Sequence, residues 1–279
     1  MVRRIFAIAL FTIFAACNNE DKMPDTPEVP VNALSSPQPI MYTIDAVYPH
    51  DPHAFTQGLQ FYNGKLYEGT GQPKQSSLRI VDIKTGNVEK KYTLPDPEVF
   101  GEGITIFKNK IYQLTWQNKK IFVYNLIDIT KPIKTLAWTI SAIGEGWGIT
   151  NDGNNLIISD GSDKIYYALP DEEKNTMKEL KILSVADNTG PIDQLNELEY
   201  IDGYIYANRW HTNEIEKIDT SNGHVVGRID LAGLLHQYAP DAKFDAEAVL
   251  NGIAYDSATK KLYITGKDWP KMFELHFNQ

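Results

Sequence analysis

Three glycines, Gly58, Gly103 and Gly148, stand 45 residues apart, each preceded by a residue with a large polar or aromatic side chain: Gln57, Glu102 and Trp147. Each opens the same local pattern of an alternating strand, a tight turn and a second strand. Gly58-Leu59-Gln60-Phe61-Tyr62-Asn63-Gly64-Lys65-Leu66-Tyr67 matches Gly103-Ile104-Thr105-Ile106-Phe107-Lys108-Asn109-Lys110-Ile111-Tyr112. A third copy starts at Gly148, and degenerate copies start at Leu198 and Gly252. Hairpins repeating at about 40–50 residues are the mark of a β-propeller, because one hairpin sheet cannot bury its faces alone and must stack against its neighbours in a ring. Five copies predict an all-β, five-bladed β-propeller. Asn63-Gly64, Asp152-Gly153 and Asp202-Gly203 supply the turns. No amphipathic helix longer than three turns is expected.

The ends of the chain read differently. Arg3 and Arg4 precede an apolar run from Ile5 to Ala16 that is too short to span a bilayer and ends at Cys17, the only cysteine. Phe14-Ala15-Ala16-Cys17 resembles a bacterial lipobox with Phe in place of the usual Leu. Residues 1–17 are therefore read as a lipoprotein-type signal peptide with Cys17 as lipidation site, the alternative being a cleaved signal with an incidental thiol. Residues 18–40, polar and rich in proline, have little to bury and read as a disordered tether; Glu20-Asp21 resembles the acidic surface-export signal of some lipoproteins. The propeller then occupies residues 41–279, roughly 48 residues per blade. Ring closure should pair Met41–Tyr48 with the C-terminal strand. The expected product is an exported bacterial lipoprotein, a monomer held on the periplasmic face or the cell surface through its lipid alone. A net charge of −9 with no long basic block argues against a nucleic-acid partner.

Aligning the repeats puts Gln57, Glu102, Trp147, Glu197 (with Asn196 beside it) and Asn251 at one equivalent position. Thr70, Trp116, Gly161, Trp210 and Lys267 end the following strands. Antiparallel neighbours bring both sets to one mouth of the ring. A mouth holding a carboxylate, amides, three tryptophans and a lysine is expensive if its role is structural alone. Glu102, between glycines and beside Phe100, should be desolvated and its pKa raised toward acid–base values. Glu197 and Glu199 are further carboxylate candidates, although alternation suggests that Glu199 only satisfies backbone donors. Asp160 and Asp163 read as turn aspartates rather than calcium ligands, and His50 and His53 as loop residues rather than a zinc pair.

Nine motifs in order carry a resemblance: Phe55-Thr56-Gln57-Gly58-Leu59, Phe100-Gly101-Glu102-Gly103, Leu114-Thr115-Trp116, Gly146-Trp147-Gly148, Ser159-Asp160-Gly161-Ser162, Asn196-Glu197-Leu198-Glu199, Ala207-Asn208-Arg209-Trp210, Leu250-Asn251-Gly252-Ile253-Ala254-Tyr255-Asp256, and Thr265-Gly266-Lys267 with Trp269-Pro270. Across residues 42–275 the chain resembles the plant and bacterial type of glutaminyl cyclase, unrelated to the zinc-dependent α/β enzymes of animals. The resemblance implies a five-bladed propeller that converts the N-terminal glutamine of peptides and proteins to pyroglutamate and releases ammonia. It places the catalytic acid/base on Glu102 and matches Phe55, Gln57, Phe100, Trp116, Trp147, Asn196, Trp210 and Lys267 to the rest of the pocket. One stretch departs: the family runs Glu-Ser-Thr-Gly into Tyr-Gly-x-Ser, whereas Glu68-Gly69-Thr70-Gly71 here leads into Gln72-Pro73-Lys74-Gln75, which alters a rim loop.

The chemistry fits those residue types. Five-membered ring closure is already intramolecular, so the enzyme must orient the chain, move one proton and stabilise an oxyanion. Glu102 is the expected proton carrier; Gln57, Asn196 and Lys267 are the groups expected to hold the amide and the developing charge. Phe55, Phe100 and the three tryptophans are expected to bind the substrate and exclude water. No metal or other cofactor is expected, and a structural calcium in the channel has no support in the sequence. The rival reading is a non-catalytic propeller binding peptides or glycans. A sialidase-like propeller would need an arginine triad; outside the signal only Arg79, Arg209 and Arg228 are present.

Overall fold

The computed structural model describes residues 34–139, 141, 143–242 and 245–277; the signal, Cys17 and most of the proline-rich segment lie outside them. Most of the described strands fall into five four-stranded antiparallel meanders, two of them joined by a parallel contact between Ala137 and Thr176, beside a short ladder of Ala186–Asp187 with Gly190–Pro191. Meander 1 comprises Thr56–Tyr62, Lys65–Thr70, Ser77–Val81 and Val88–Thr93; meander 2 comprises Gly101–Phe107, Lys110–Thr115, Lys120–Asn125 and Pro132–Ala137. Meander 3 comprises Ile149–Asn151, Leu156–Ser159, Lys164–Asp171 and Thr176–Ser184; meander 4 comprises Leu195–Ile201, Tyr204–Arg209, Glu214–Asp219 and Val225–Asp230. Meander 5 takes Leu250–Asp256, Lys261–Gly266 and Lys271–Phe277 from the C-terminus, and Tyr42–Pro49 from upstream of meander 1 completes it. Each first strand packs beside the first strand of the next meander, and Leu250–Asp256 returns to Thr56–Tyr62, closing the ring. This is a β-propeller. A single helix, the five-residue Leu234–Tyr238, is found among the described residues.

The alternating strands place apolar residues on both faces of each sheet, and these meet in the gaps. Five buried clusters result, one between each pair of adjacent meanders. Ile104, Ile106, Ile111 and Tyr124 of meander 2, for instance, pack on Leu78 and Ile80 of meander 1. Closure follows the sequence expectation: Tyr42–Pro49 runs antiparallel to Lys271–Phe277. Ordered pairing begins somewhat earlier than residue 41, since Gln38 and Pro39 lie parallel to Gly227 and Arg228 of meander 4.

The repeating glycine has a steric cause. A Cβ at Gly58 would lie 2.4 Å from the Ile104 nitrogen, one at Gly103 2.7 Å from the Trp147 carbonyl, and one at Gly148 2.0 Å from the Asn196 carbonyl. First strands of neighbouring meanders thus approach backbone to backbone at the ring's centre, where only glycine fits. Beside these glycines the ladder slips: pairing shifts register between Thr56 and Gly58, Gly101 and Ile104, Leu195 and Leu198, and Leu250 and Ile253. Such bulges set extra residues against the partner strand and re-aim their side chains. The residues so re-aimed are Gln57, Glu102, Asn196 with Glu197, and Asn251.

Candidate active site

Phe55, Gln57, Phe100, Glu102, Trp116, Trp147, Asn196, Trp210 and Lys267 all line one cavity of about 320 Å³. Gln72 and Glu247 complete its wall. The bulges supply Gln57, Glu102 and Asn196 from three first strands, and Trp116, Trp210 and Lys267 follow the ends of second strands. Phe55, Phe100 and Trp116 form an edge-to-face series with ring centroids 5.9 and 5.8 Å apart. Trp147 and Trp210 meet edge to face at 5.5 Å. Gly161, in the left-handed region at φ +84°, lies flat against the Trp147 ring, where a Cβ would come within 2.6 Å. A larger depression of about 650 Å³ adjoins this cavity, shares Phe55 and Gln72 with it, and is lined by Asp51, Arg79 and Asp268 among others. It is the more polar of the two, and Arg79 is already paired there with Asp51 at 2.7 Å.

Glu102 is 4% exposed, and its Oε2 has no hydrogen-bond partner. Burial pushes its carboxyl well above the usual carboxylate range; the Lys267 charge opposes that shift and the Glu145 charge adds to it. Burial likewise lowers the Lys267 ammonium, against the pull of Glu102. Lys267 Nζ lies 4.9 Å from the Phe55 ring centroid and 5.7 Å from that of Trp210, so part of its lost hydration is replaced by aromatic faces. Two further cavity atoms are buried without a partner, Asn196 Oδ1 and Trp210 Nε1. A native interior rarely leaves polar atoms unsatisfied. Here a carboxyl oxygen, an amide acceptor and an indole donor, all of residues lining one cavity, are left so.

Other groups are spent on orientation. Asn251 Nδ2 donates to Gln57 Oε1 at 3.0 Å and to the Thr56 carbonyl at 2.9 Å, which leaves the Gln57 NH₂ as the donor toward the cavity. Asn251 therefore braces the site instead of lining it, as repeat alignment alone suggested. Glu197 is also turned away: Oε1 accepts from Leu59 N at 3.2 Å and Oε2 from Ile253 N at 2.8 Å, because the bulge gives the cavity to Asn196 and sends its neighbour across the ring. Glu199 accepts from Tyr255 N at 2.9 Å, the backbone role expected of it. Thr70 bonds to Ser77 at 2.7 Å. Asp160 is a turn residue, accepting from Ser162 N at 3.0 Å and from the Ser141 and Tyr166 hydroxyls at 2.8 Å. Glu68 is held in a buried network with Arg79, His50 and Thr56. Burial pushes it up, but Arg79 and His50 overcome this and hold it well below the carboxylate range. Glu145 escaped the sequence reading: its Oε2 accepts the indole N–H of Trp116 at 2.7 Å and of Trp147 at 2.9 Å. The signal was present, since Glu145 stands three residues before Gly148, as Phe55 and Phe100 stand before Gly58 and Gly103.

The fold is thus a β-propeller whose mouth holds an aromatic box, a buried carboxyl group raised well above the usual range and a buried lysine. The family model for glutamine cyclotransferase matches residues 9–277. A glutaminyl-peptide cyclotransferase of Arabidopsis thaliana is 37% identical over 237 residues, 84% of this chain and 70% of the plant protein. The crystal structure of Myxococcus xanthus glutaminyl cyclase superposes with a TM-score of 0.76 at 32% identity, covering 87% of this chain and 98% of that one. The chain belongs to the glutamine cyclotransferase family.

Proposed function

We infer that the chain is a glutaminyl-peptide cyclotransferase, closing the N-terminal glutamine of peptides and proteins to pyroglutamate, and that Glu102 moves the proton. The observation that carries this reading is the coincidence of Glu102 Oε2, Asn196 Oδ1 and Trp210 Nε1, each buried and unpaired, around one cavity. An N-terminal glutamine brings the complementary set: amine N–H groups, amide N–H groups and a carbonyl oxygen. The α-amine attacks its own γ-carboxamide carbon, and a carbon–nitrogen bond forms. Glu102 takes the proton that the amine releases and returns it to the departing nitrogen as the old carbon–nitrogen bond breaks, so that ammonia leaves. Asn196 Oδ1 accepts from the carboxamide, while the Gln57 NH₂ and Lys267 stabilise the oxyanion. The tryptophans and phenylalanines keep out water that would hydrolyse the amide. The remainder of the peptide has room in the adjoining groove.

The test is Glu102→Gln, which preserves size but removes the proton acceptor. Turnover of a glutaminyl peptide should fall by about 10²–10⁴-fold. The wild-type rate should rise through mildly alkaline pH as the substrate amine, of ordinary pKa ~7.7–8.0, loses its proton and Glu102 ionises. Near-normal turnover by the variant would remove Glu102 from the mechanism.

The same proposal extends to location. Cys17 carries a lipid that anchors a monomeric enzyme to the periplasmic face or the cell surface, supported by Phe14-Ala15-Ala16-Cys17 at the end of the apolar leader. Cys17→Ser should move the protein into the soluble fraction with turnover unchanged. Continued membrane attachment of that variant would count against the anchor.

A further inference from the structure

We infer that Glu145 is a positioning residue of this active site, holding Trp116 and Trp147 in register across the cavity by sharing one carboxylate oxygen between their indole N–H groups. The inference rests on the cyclotransferase reading above for its kinetic consequences, not for its geometry. Trp116 follows the second strand of meander 2, and Trp147 precedes the first strand of meander 3, so neither chain segment fixes one ring relative to the other. Glu145 Oε2 lies 2.7 Å from Trp116 Nε1 and 2.9 Å from Trp147 Nε1. Its Oε1 accepts from Gln117 Nε2 at 2.8 Å. The carboxylate is thus a three-donor hub outside the cavity wall, joined to two residues that form that wall.

The hub is itself fixed from both sides. The buried Trp138 donates from Nε1 to the Glu145 carbonyl at 2.9 Å, and Gly146 N donates to the Trp116 carbonyl at 3.1 Å. Trp116 is 38% exposed, and a half-exposed indole on a strand end has rotamer freedom unless its N–H is engaged. Hydrogen bonds from neutral donors to a carboxylate are about twice as strong as neutral pairs. A single shared acceptor couples the two rings, so movement of one loosens the other.

The charge has a second effect. The charged groups that act on Glu102 are Lys267, which favours its anion, and Glu145, which disfavours it. Lys267 in turn feels Glu247 and Asp268. Glu145 therefore offsets part of the Lys267 effect and keeps the Glu102 carboxyl higher than it would stand beside Lys267 alone, as well as shaping the box around it.

Two variants separate these effects, read by steady-state kinetics across pH with a glutaminyl peptide and by near-ultraviolet circular dichroism of the unliganded protein. Glu145→Ala removes acceptor and charge; kcat/KM should fall by about 10²-fold, the scale of an ångström-level misplacement, with KM raised and the tryptophan dichroism altered. Glu145→Gln keeps an acceptor oxygen for the indoles. It should recover most of the activity and the wild-type dichroism, while the acidic limb of its pH profile moves to lower pH because a negative charge beside Glu102 is gone. Wild-type kinetics and dichroism in Glu145→Ala would overturn the inference. So would a Glu145→Gln variant as impaired as the alanine form. If Glu145→Ala does not fold, Glu145→Gln decides alone: recovery with a shifted acidic limb supports the inference, and an unshifted limb or lost activity overturns it. If the wild-type protein itself turned over no glutaminyl peptide, the functional reading would fail, and the dichroism would still decide whether Glu145 orders the two indoles.

Discussion

A carboxyl oxygen with no hydrogen bond and almost no water contact is unstable as an anion, and Glu102 Oε2 is in that condition. The folded protein therefore binds a proton there more tightly than the unfolded chain does. Its contribution to stability is present below the unfolded pKa and is lost as pH rises through the raised folded value. Glu102→Gln should thus leave stability intact at acidic pH and increase it at alkaline pH, measured as thermal midpoints of the variant and wild type at both ends. A drop in alkaline stability would mean that the Glu102 anion is held by partners after all. Residue identities at the site were legible because large aromatic, amide and carboxylate side chains recur beside glycines where small residues would suffice. Repeat alignment by itself left open which of two adjacent residues faces the cavity, and only the family resemblance named Asn196. Asn196 and Glu197 sit together in one bulge, and alternation cannot say which of them turns inward. Glu145 was hidden for another reason: it stands two residues before Trp147 but also reaches Trp116 in the preceding meander, and its own side chain does not line the cavity.

At the level of elements, the first strands are joined across the ring by side chains as well as by glycine contacts. Glu197 ties meander 4 to Leu59 of meander 1 and Ile253 of meander 5, and Glu199 ties it to Tyr255 of meander 5. Thr150 of meander 3 donates to Glu199 at 3.4 Å and accepts from Tyr200 N at 3.2 Å. Burial raises the Glu199 carboxyl to about 8, against the backbone donors that favour its anion. A raised acid has the same linkage as Glu102: its contribution to stability is present below the ordinary carboxylate range and is lost as pH climbs from there through about 8, because a buried anion is costly. Glu199→Gln keeps an acceptor for Tyr255 and cannot ionise. It should flatten the fall in unfolding free energy over that window, which for one fully linked proton is at most about 1.4 kcal/mol per pH unit. Denaturant titrations at intervals between pH 5 and pH 9 give the comparison; an unchanged slope would mean that Glu199 does not titrate there. The sequence predicted these strands and the passive role of Glu199 from alternation. The bulges were not legible, because an extra residue in a ladder alters pairing without altering the hydrophobic pattern.

For the whole molecule, the ring was the most legible feature, since a hairpin repeat at nearly constant spacing has few other ways to bury both faces of every sheet. Closure was legible too, because the apolar alternation of Tyr42–Pro49 precedes the first repeat and has no partner there. The rim was less so. Gln72, in the stretch that departs from the family pattern and at φ +80°, and Glu247 both line the cavity, and neither belongs to a repeat. The resulting architecture brings side chains from every meander to one mouth and gives that mouth a buried carboxyl group, a buried lysine and hydrogen-bonding atoms with nothing in the protein to satisfy them. Its central claim is that this mouth closes N-terminal glutamine onto itself. The direct measurement is to incubate the protein with a peptide beginning in glutamine and follow free ammonia and peptide mass together. The account predicts equimolar ammonia and a loss of about 17 Da, the intramolecular displacement of NH₃, with no change in a matched peptide whose N-terminus is acetylated. Binding of the peptide without ammonia release, or ammonia accompanied by a gain of about 1 Da from simple hydrolysis, would contradict it.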